Sequence, residues 1–452
     1  MASWNVAALL TEDRSHLLHP LYHPEDHAKP RIWVKGQGIM LTDAEGRELI
    51  DGLSCLWNVN VGHGRRELAE VAAEQMAALA FSVNYTGSAN VPAIRLASRL
   101  AEIAYPNLVA TFFASGGAEA NESAFKTARF YWKAKGRPEK VKIISRQMAY
   151  HGVTLAAMSA TGIPGFAKMF EPRVANFIHT ATPYAYRFEG AKPGESVGQA
   201  AARMLEETIL KEGPETVAAF IAEPVQGTGG VIVPPDEYFP LVRQICTRHD
   251  VLFIADEVIT GFGRTGHWFG LKHWGVQPDI MAFAKGVTSG YLPLGGIMIS
   301  QPILDAMLSV PYADRWMHAY TYSGHPTCCA VGLRNLEIIE KEGLVENAAK
   351  MGVRFLAGLK SLRELKAVGD VRGLGLMAGV ELVADRASKA PFDPDKKILG
   401  KVRVELEARG LCVRAVRDSL ILAPPLIVTE TQVDRIVEIM RDGIAAVLPE
   451  RV

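Results

Sequence analysis

Cysteine is scarce in this chain of 452 residues. The five cysteines, at 55, 246, 328, 329 and 412, are scattered, odd in number and free of any CxxC pair. That pattern points to neither a disulfide framework nor a zinc site. An excess of one charge is also missing, since Lys+Arg and Asp+Glu number 49 each. Nothing therefore calls for nucleic acid or an anionic membrane as a partner. No apolar run approaches the ~18 residues of a membrane span. The opening "MASWNVAALLTEDRSHLL" has no basic leader and reaches acidic residues by position 12, so no signal peptide is expected. Repeats and low-complexity segments are absent, and the 41 glycines and 25 prolines are spread as turn punctuation. With 48% hydrophobic and 22% charged residues, the chain reads as a cytoplasmic enzyme of two or three domains.

What is present is an alternation of strand and helix patterns. "VKIIS" (141–145), "VAAFIAEPV" (217–225), "VLFIADEV" (251–258) and "DIMAFAK" (279–285) are short apolar runs bounded by turn residues. Such runs suit strands covered on both faces of a mainly parallel sheet. Stretches such as "SVGQAAARMLEETILKEG" between them are helical, which gives an α/β architecture. The C-terminal part predicts a small α+β domain. "LEARGLCVRAV" is a helix end, a glycine stop and a strand, and "DSLILAPPLIV" is a strand running into a proline pair. Thr429 and Gln432 form a capping box before a helix whose apolar face is Val433, Ile436, Val437, Met440 and Ile444. The hairpin pattern "GIMLTDAEGRELIDGLS", turning at "AEG", joins the same small domain.

Three features carry chemistry. In "FFASGGAEANESAFKTARFYWKA" (112–134) a strand meets Gly116-Gly117 and a helix starts at once. Glycines let a backbone approach an anion, and a helix N-terminus offers free N–H groups. An ordinary strand–helix turn has the same look. Asp256, in "FIADEVITGFGRTG", ends an apolar strand, where a carboxylate needs a cation such as Arg264 or a ligand's charge. Lys285, in "MAFAKGVTSGYLPLGG", stands among small residues, with glycines at 286, 290, 295 and 296. A strand-end lysine usually points to solvent. A buried one becomes a neutral nucleophile and wants clearance for a flat partner. Phosphate cup, carboxylate and lysine in that order make a pyridoxal phosphate (PLP) site. The lysine is its Schiff-base residue, and the carboxylate keeps the pyridine nitrogen protonated. "GFGRTG" (261–266) fits GxGxxG and keeps an NAD-dependent oxidoreductase as the rival from another class. That motif sits mid-chain with two acids just upstream, which is poor company for a pyrophosphate.

Across nearly its whole length the chain resembles the class III aminotransferases, PLP enzymes of fold type I, and most of all the ω-aminotransferases that use pyruvate. The likeness lies in "DGLSCLWNVNVGHGR", "SGGAEAN", "AYHG", "AEPVQGTGG", "ADEVITGFGRTG", "PDIMAFAKG", "YTYSGHP" and "GLGLMAGVEL", in family order. It implies a large domain over residues 58–325 around a mainly parallel seven-stranded sheet. The small α+β domain would come from residues 1–57 and 326–452. It also implies roles. Lys285 binds PLP and then carries the proton between substrate Cα and the cofactor's C4′, and Asp256 pairs with the ring nitrogen. Tyr150 stacks on the ring, His151 lies beside it, and Val258 covers the opposite face. Gly116, Gly117 and Ala118 form the phosphate cup, and Thr321 reaches it from the neighbouring subunit. Glu223 lies close to the cofactor. Relatives often carry serine where Ala118 stands, so retention here leans on backbone donors and Thr321.

On the substrate side, Arg414 of "LCVRAV" matches the family's mobile arginine, which holds a 2-oxo acid carboxylate and swings aside for an apolar amine. Arg417 reads as a turn residue paired with Asp418. Trp57 walls the pocket, and Tyr85 of "FSVNYTG" lines the partner's. An aromatic pocket suits β-alanine, taurine, putrescine-like diamines or aryl-alkyl amines. The resemblance thus implies a ping-pong ω-aminotransferase passing an amino group from an amine to pyruvate. It would be a homodimer, or dimers paired into a tetramer, with a shared site and no metal. Within PLP enzymes the alternatives are a 4-aminobutyrate or diaminopelargonate aminotransferase, using 2-oxoglutarate or S-adenosylmethionine, or an aminomutase with no external acceptor.

Overall fold

The computed structural model describes residues 4–85 and 87–450. Residues 1–3 and 451–452, at the outer ends of the expected segments 1–57 and 326–452, lie outside the described residues, as does Thr86 of "FSVNYTG". A helix, Val6–His16, leads into three short strands, β1 (Trp33–Gln37), β2 (Met40–Asp43) and β3 (Glu48–Asp51). β2 and β3 are the expected hairpin, pairing Leu41 with Leu49, and Gly46 turns it at φ +83°. β1 adds a third strand that no alternation announces.

Seven strands follow: β4 (Leu108–Ala114), β5 (Lys142–Arg146), β6 (Phe177–Thr180), β7 (Val217–Ala222), β8 (Leu252–Asp256), β9 (Ile280–Phe283) and β10 (Gly295–Ser300). They form one sheet in the order β4-β10-β9-β8-β7-β5-β6. β6, β5, β7, β8 and β9 run parallel, while β10 runs antiparallel to both its neighbours. Every residue of β7, β8 and β9 is buried. Successive side chains on a strand face opposite ways, and here they enter two different cores. Phe220, Phe253, Met281 and Phe283 pack with the helices Val197–Glu212 and Tyr238–Arg248. Ile221, Ile254, Ile280 and Ala282 pack with Ala120, Ala124, Phe125 and Ala128 of the helix Gly117–Ala134. The alanine stripe brings that helix close to the sheet, which matters for the site.

The C-terminal part adds β11 (Val368–Leu374), β12 (Met377–Leu382), β13 (Leu411–Cys412), β14 (Arg414–Val416) and β15 (Ser419–Leu422). "LCVRAV" is two strands rather than the single one expected. β13 pairs in parallel with β3, closing the sheet β1-β2-β3-β13, and β14 pairs antiparallel with β15 in the sheet β11-β12-β15-β14. The chain changes sheets at buried Val413, and Arg414 is the first residue of the second sheet. Thr429 and Gln432 form both bonds of the capping box, and Val433, Ile436, Val437, Met440 and Ile444 are buried as expected. Ser196 and Gln199 cap Val197–Glu212 in the same way. Among the described residues no helix is long and apolar enough to cross a membrane.

Candidate active site

The C-terminal ends of β7, β8 and β9 lie side by side, the usual place for ligands in a parallel sheet. Asp256 is the last residue of β8 and is 3% exposed. Strand alternation turns it toward the helix Gly117–Ala134. Asn121, one turn into that helix, donates from Nδ2 to Asp256 Oδ2 at 2.8 Å. His151 Nδ1 lies 2.7 Å from the same oxygen, and the Val258 N–H donates to Oδ1 at 3.1 Å. These contacts satisfy the buried carboxylate and fix its direction.

Arg264 is not its partner, contrary to the alternative raised from sequence. It is fully buried elsewhere and donates to Leu376 O at 3.0 Å, Asn60 Oδ1 at 2.8 Å, Ser54 Oγ at 2.9 Å and Pro424 O. Burial without a facing carboxylate bond pulls its pKa down to about 9. Glu257 points away from the site, toward Tyr105, Thr260 and the N–H groups of Gly270 and Leu271, and burial raises its pKa. The "GFGRTG" segment is a run of turns with no α-helix after it, only the 3₁₀ turn Gly270–Trp274. It therefore lacks the helix N-terminus that a dinucleotide pyrophosphate requires.

Lys285 follows β9, with its backbone in the left-handed region at φ +45°. Burial lowers its pKa, Asp256 and Glu223 pull it back up, and Arg414 adds to the lowering. The glycines near it do not make the clearance expected of them. A Cβ at Gly286 or Gly290 would strike the side-chain amide of Asn60 or Asn58, and one at Gly295 or Gly296 would strike the backbone of Gly116 or Phe112. They are small because neighbouring strands and loops press against them.

The cup is as expected in form. The helix Gly117–Ala134 begins directly after Gly116 and has no side-chain cap. The first N–H groups of an uncapped helix are donors awaiting a partner. A Cβ at Gly117 would come 2.9 Å from Val258 Cγ1, so glycine is what lets the cup close on β8's loop. Glu223, 3% exposed, accepts from the N–H groups of Tyr150 at 3.1 Å and Gly227 at 2.9 Å. Burial raises its pKa, His151 opposes this, and Asp256 adds to it.

A cavity of about 430 Å³ joins these groups. Gly116, Gly117, Ala118, Tyr150, His151, Glu223, Asp256, Val258 and Lys285 all line it. Trp57, 2% exposed, and Arg414 stand just beyond, with the guanidinium carbon 5.5 Å from the Trp57 ring centre. Burial raises the Tyr150 pKa and Arg414 opposes this, just as Arg414 adds to the lowering at Lys285, so its guanidinium lies near both. Thr321 and Tyr85 are exposed and do not line the chain's own cavity. Arg417 sits in a left-handed turn at φ +52°, and among the described residues it forms no ion pair with Asp418. Sequence reasoning missed Asn121, Asn58 and Thr288, which also line the cavity. Asn121 had a signal, lying four residues after Gly117 and so on the same helix face. Asn58 and Thr288 had none.

A family model, aminotransferase class-III, matches residues 21–444. A putrescine–pyruvate aminotransferase of Pseudomonas aeruginosa is 39% identical over 431 residues, covering 95% of this chain and 94% of that one. Among solved structures, an (S)-enantioselective omega-transaminase from Thermomicrobium roseum superposes with a TM-score of 0.95 at 49% identity, over 99% of this chain and 100% of that one. An omega transaminase from Pseudomonas jessenii, in complex with PMP, gives 0.94 at 40% identity, over 97% of this chain and 98% of that one.

Proposed function

The chain belongs to the class III aminotransferases, and from that premise we propose that it is an ω-aminotransferase moving an amino group from a primary amine or ω-amino acid to pyruvate. Pyridoxal phosphate is the cofactor of the family, and the residues of this cavity suit it: an uncapped helix N-terminus for a phosphate, a fixed carboxylate for a ring nitrogen, and a buried amine. When bound, the cofactor supplies an aldehyde carbon for the amine and a ring that draws electrons from the substrate's Cα.

Each residue then has a task. The N–H groups of Gly117 and Ala118 would hold the phosphate, with Gly116 leaving room for it. Asp256 would hold a proton on the ring nitrogen, with Asn121 and His151 holding Asp256. Tyr150 and Val258, which both line the cavity, would pack against the ring. Lys285 Nζ would anchor the cofactor and, once free, take the proton from the substrate's Cα. Its lowered pKa keeps more of it in the neutral, basic form. Glu223 holds the backbone of Tyr150 and Gly227 beside the cavity. Arg414 binds the carboxylate of the 2-oxo acid bidentately, and Trp57 beneath it walls the space taken by an amine's apolar group. Thr321 and Tyr85 serve the partner's site in a homodimer of the cytoplasm.

The observation that carries this reading is the convergence of Lys285, Asp256 and the uncapped helix on one cavity, with Arg414 over the Trp57 ring nearby. The test is the visible spectrum of the purified protein during separate additions of amines, then pyruvate. A yellow band that fades with an amine and returns with pyruvate is expected, together with ping-pong kinetics. Return only with 2-oxoglutarate would move the protein to the 4-aminobutyrate type, and return only with S-adenosylmethionine to the diaminopelargonate type.

A further inference from the structure

Outside the cavity, a second cluster of reactive side chains has no task in the reaction. Asp51, Cys55 and His63 converge so that one ligand atom of each lies within 4.8 Å of the others. His63 Nε2 is 2.8 Å from Asp51 Oδ2 and 3.9 Å from Cys55 Sγ. A Cys–His–Asp relay needs the two ring nitrogens to face different partners, one toward the thiol and one toward the carboxylate. Here a single nitrogen faces both. Three donor atoms turned toward one point are the arrangement of metal ligands.

We propose that Asp51, Cys55 and His63 bind a divalent cation of the zinc class at the turn that carries Trp57. Thiolate, imidazole and carboxylate together suit that class rather than calcium or magnesium. Three protein ligands with an exposed cysteine leave the fourth position to water. The ligands are held in place before any ion arrives. Asp51, 1% exposed, accepts from the N–H groups of Leu53 at 3.2 Å and Cys55 at 2.8 Å. The His63 backbone is bridged to Gly38 in both directions, at 3.0 and 2.8 Å. Its ring packs on Gly36, where a Cβ would come within 2.7 Å. Ser54 and Cys55 take left-handed backbone angles, φ +48° and +56°, and this turn folds the thiol back toward the carboxylate. On binding, the S–H bond is replaced by a sulfur–metal bond and the proton passes to water, with no change of oxidation state. The sequence hides such a site because its ligands sit at spacings of 4 and 8 residues across a strand end, a kinked turn and a bridge.

The test uses the cofactor-loaded protein, dialysed against a chelator and then titrated with cobalt(II). The readout is the long-wavelength visible absorption of four-coordinate cobalt. One equivalent per chain and a rise in Tm are expected. Cys55→Ser and His63→Gln should each weaken binding more than about 100-fold, above the loss typical of an outer-shell partner. Cys412→Ser should leave binding unchanged, since Cys412 pairs with Asp51 across the strands but lies outside the cluster. Circular dichroism of each variant shows whether it is folded, and the two ligand variants check one another. No saturable binding in the wild type, or equal binding in wild type, Cys55→Ser and His63→Gln, would overturn the proposal.

Discussion

Asn121→Ala removes one of the three donors that converge on Asp256. The bond is 2.8 Å long, both groups are buried, and the acceptor is charged. A hydrogen bond to a charged group is worth about 1.5–3 kcal/mol. His151 and the Val258 N–H remain, so the carboxylate keeps two partners but loses part of its orientation. If the bond works by keeping Asp256 aimed at the cofactor's ring nitrogen, its loss should appear in proton removal at Cα. The amine half-reaction should slow about 10- to 150-fold, while the affinity for amine changes little. Stopped-flow decay of the visible band at saturating amine measures it. Asn121→Leu keeps the volume without the donor and should show the same loss, which separates the bond from packing. The decisive step is a double-mutant cycle with Asp256→Asn. Once Asp256 is neutral, removing Asn121 should cost little more. Losses that add in full would refute the reasoning, as would a slowing of less than about threefold in Asn121→Ala.

Arg414→Ala should cripple the pyruvate half-reaction, by more than about 100-fold from loss of a bidentate carboxylate contact, and slow the half-reaction of an uncharged aryl-alkyl amine far less; single-turnover rates in each direction compare them. Thr321→Ala should release the cofactor on dialysis faster than wild type, because Ala118 offers only its N–H; equal retention would remove Thr321 from the phosphate site. His318 bonds Ser123 Oγ and Lys126 Nζ, both at 2.8 Å, and burial with Lys126 lowers its pKa from 6.5 to about 4. The folded chain thus prefers neutral His318, and the unfolded chain binds the extra proton between those two values. Stability from this group is complete above pH 6.5 and is lost as pH falls toward about 4. His318→Gln should flatten that part of the Tm-against-pH curve.

Much of the fold was legible because the apolar runs of β7, β8 and β9 are buried on both faces and bounded by turns. The capping box at Thr429 was legible because its signal is four residues long; the one at Ser196 carries the same signal and was not read. The split of "LCVRAV" into β13 and β14 was not. A change of sheet at Val413 depends on what β3 and β15 offer as partners, and no local pattern records that. In the site, the order of Gly117, Asp256 and Lys285 carried the chemistry, since each ends or follows a strand of one sheet. The partners of Asp256 were harder to see. Arg264 was near in sequence and turned out to bond backbone carbonyls, Ser54 and Asn60 far away. Asn121 is 135 positions distant and was brought in by the alanine face that seats its helix. The glycines around Lys285 were read as clearance for a ligand, yet close backbone approach leaves the same mark.

The most direct test of the account is to locate the covalent anchor. Borohydride reduction of the purified yellow protein fixes the cofactor to the chain, and peptide mass spectrometry finds the modified residue. One modified peptide, carrying its label on Lys285, is expected, with a colourless, unlabelled protein for Lys285→Ala. Label on another lysine, or a Lys285→Ala variant that still turns yellow and is labelled equally, would contradict it.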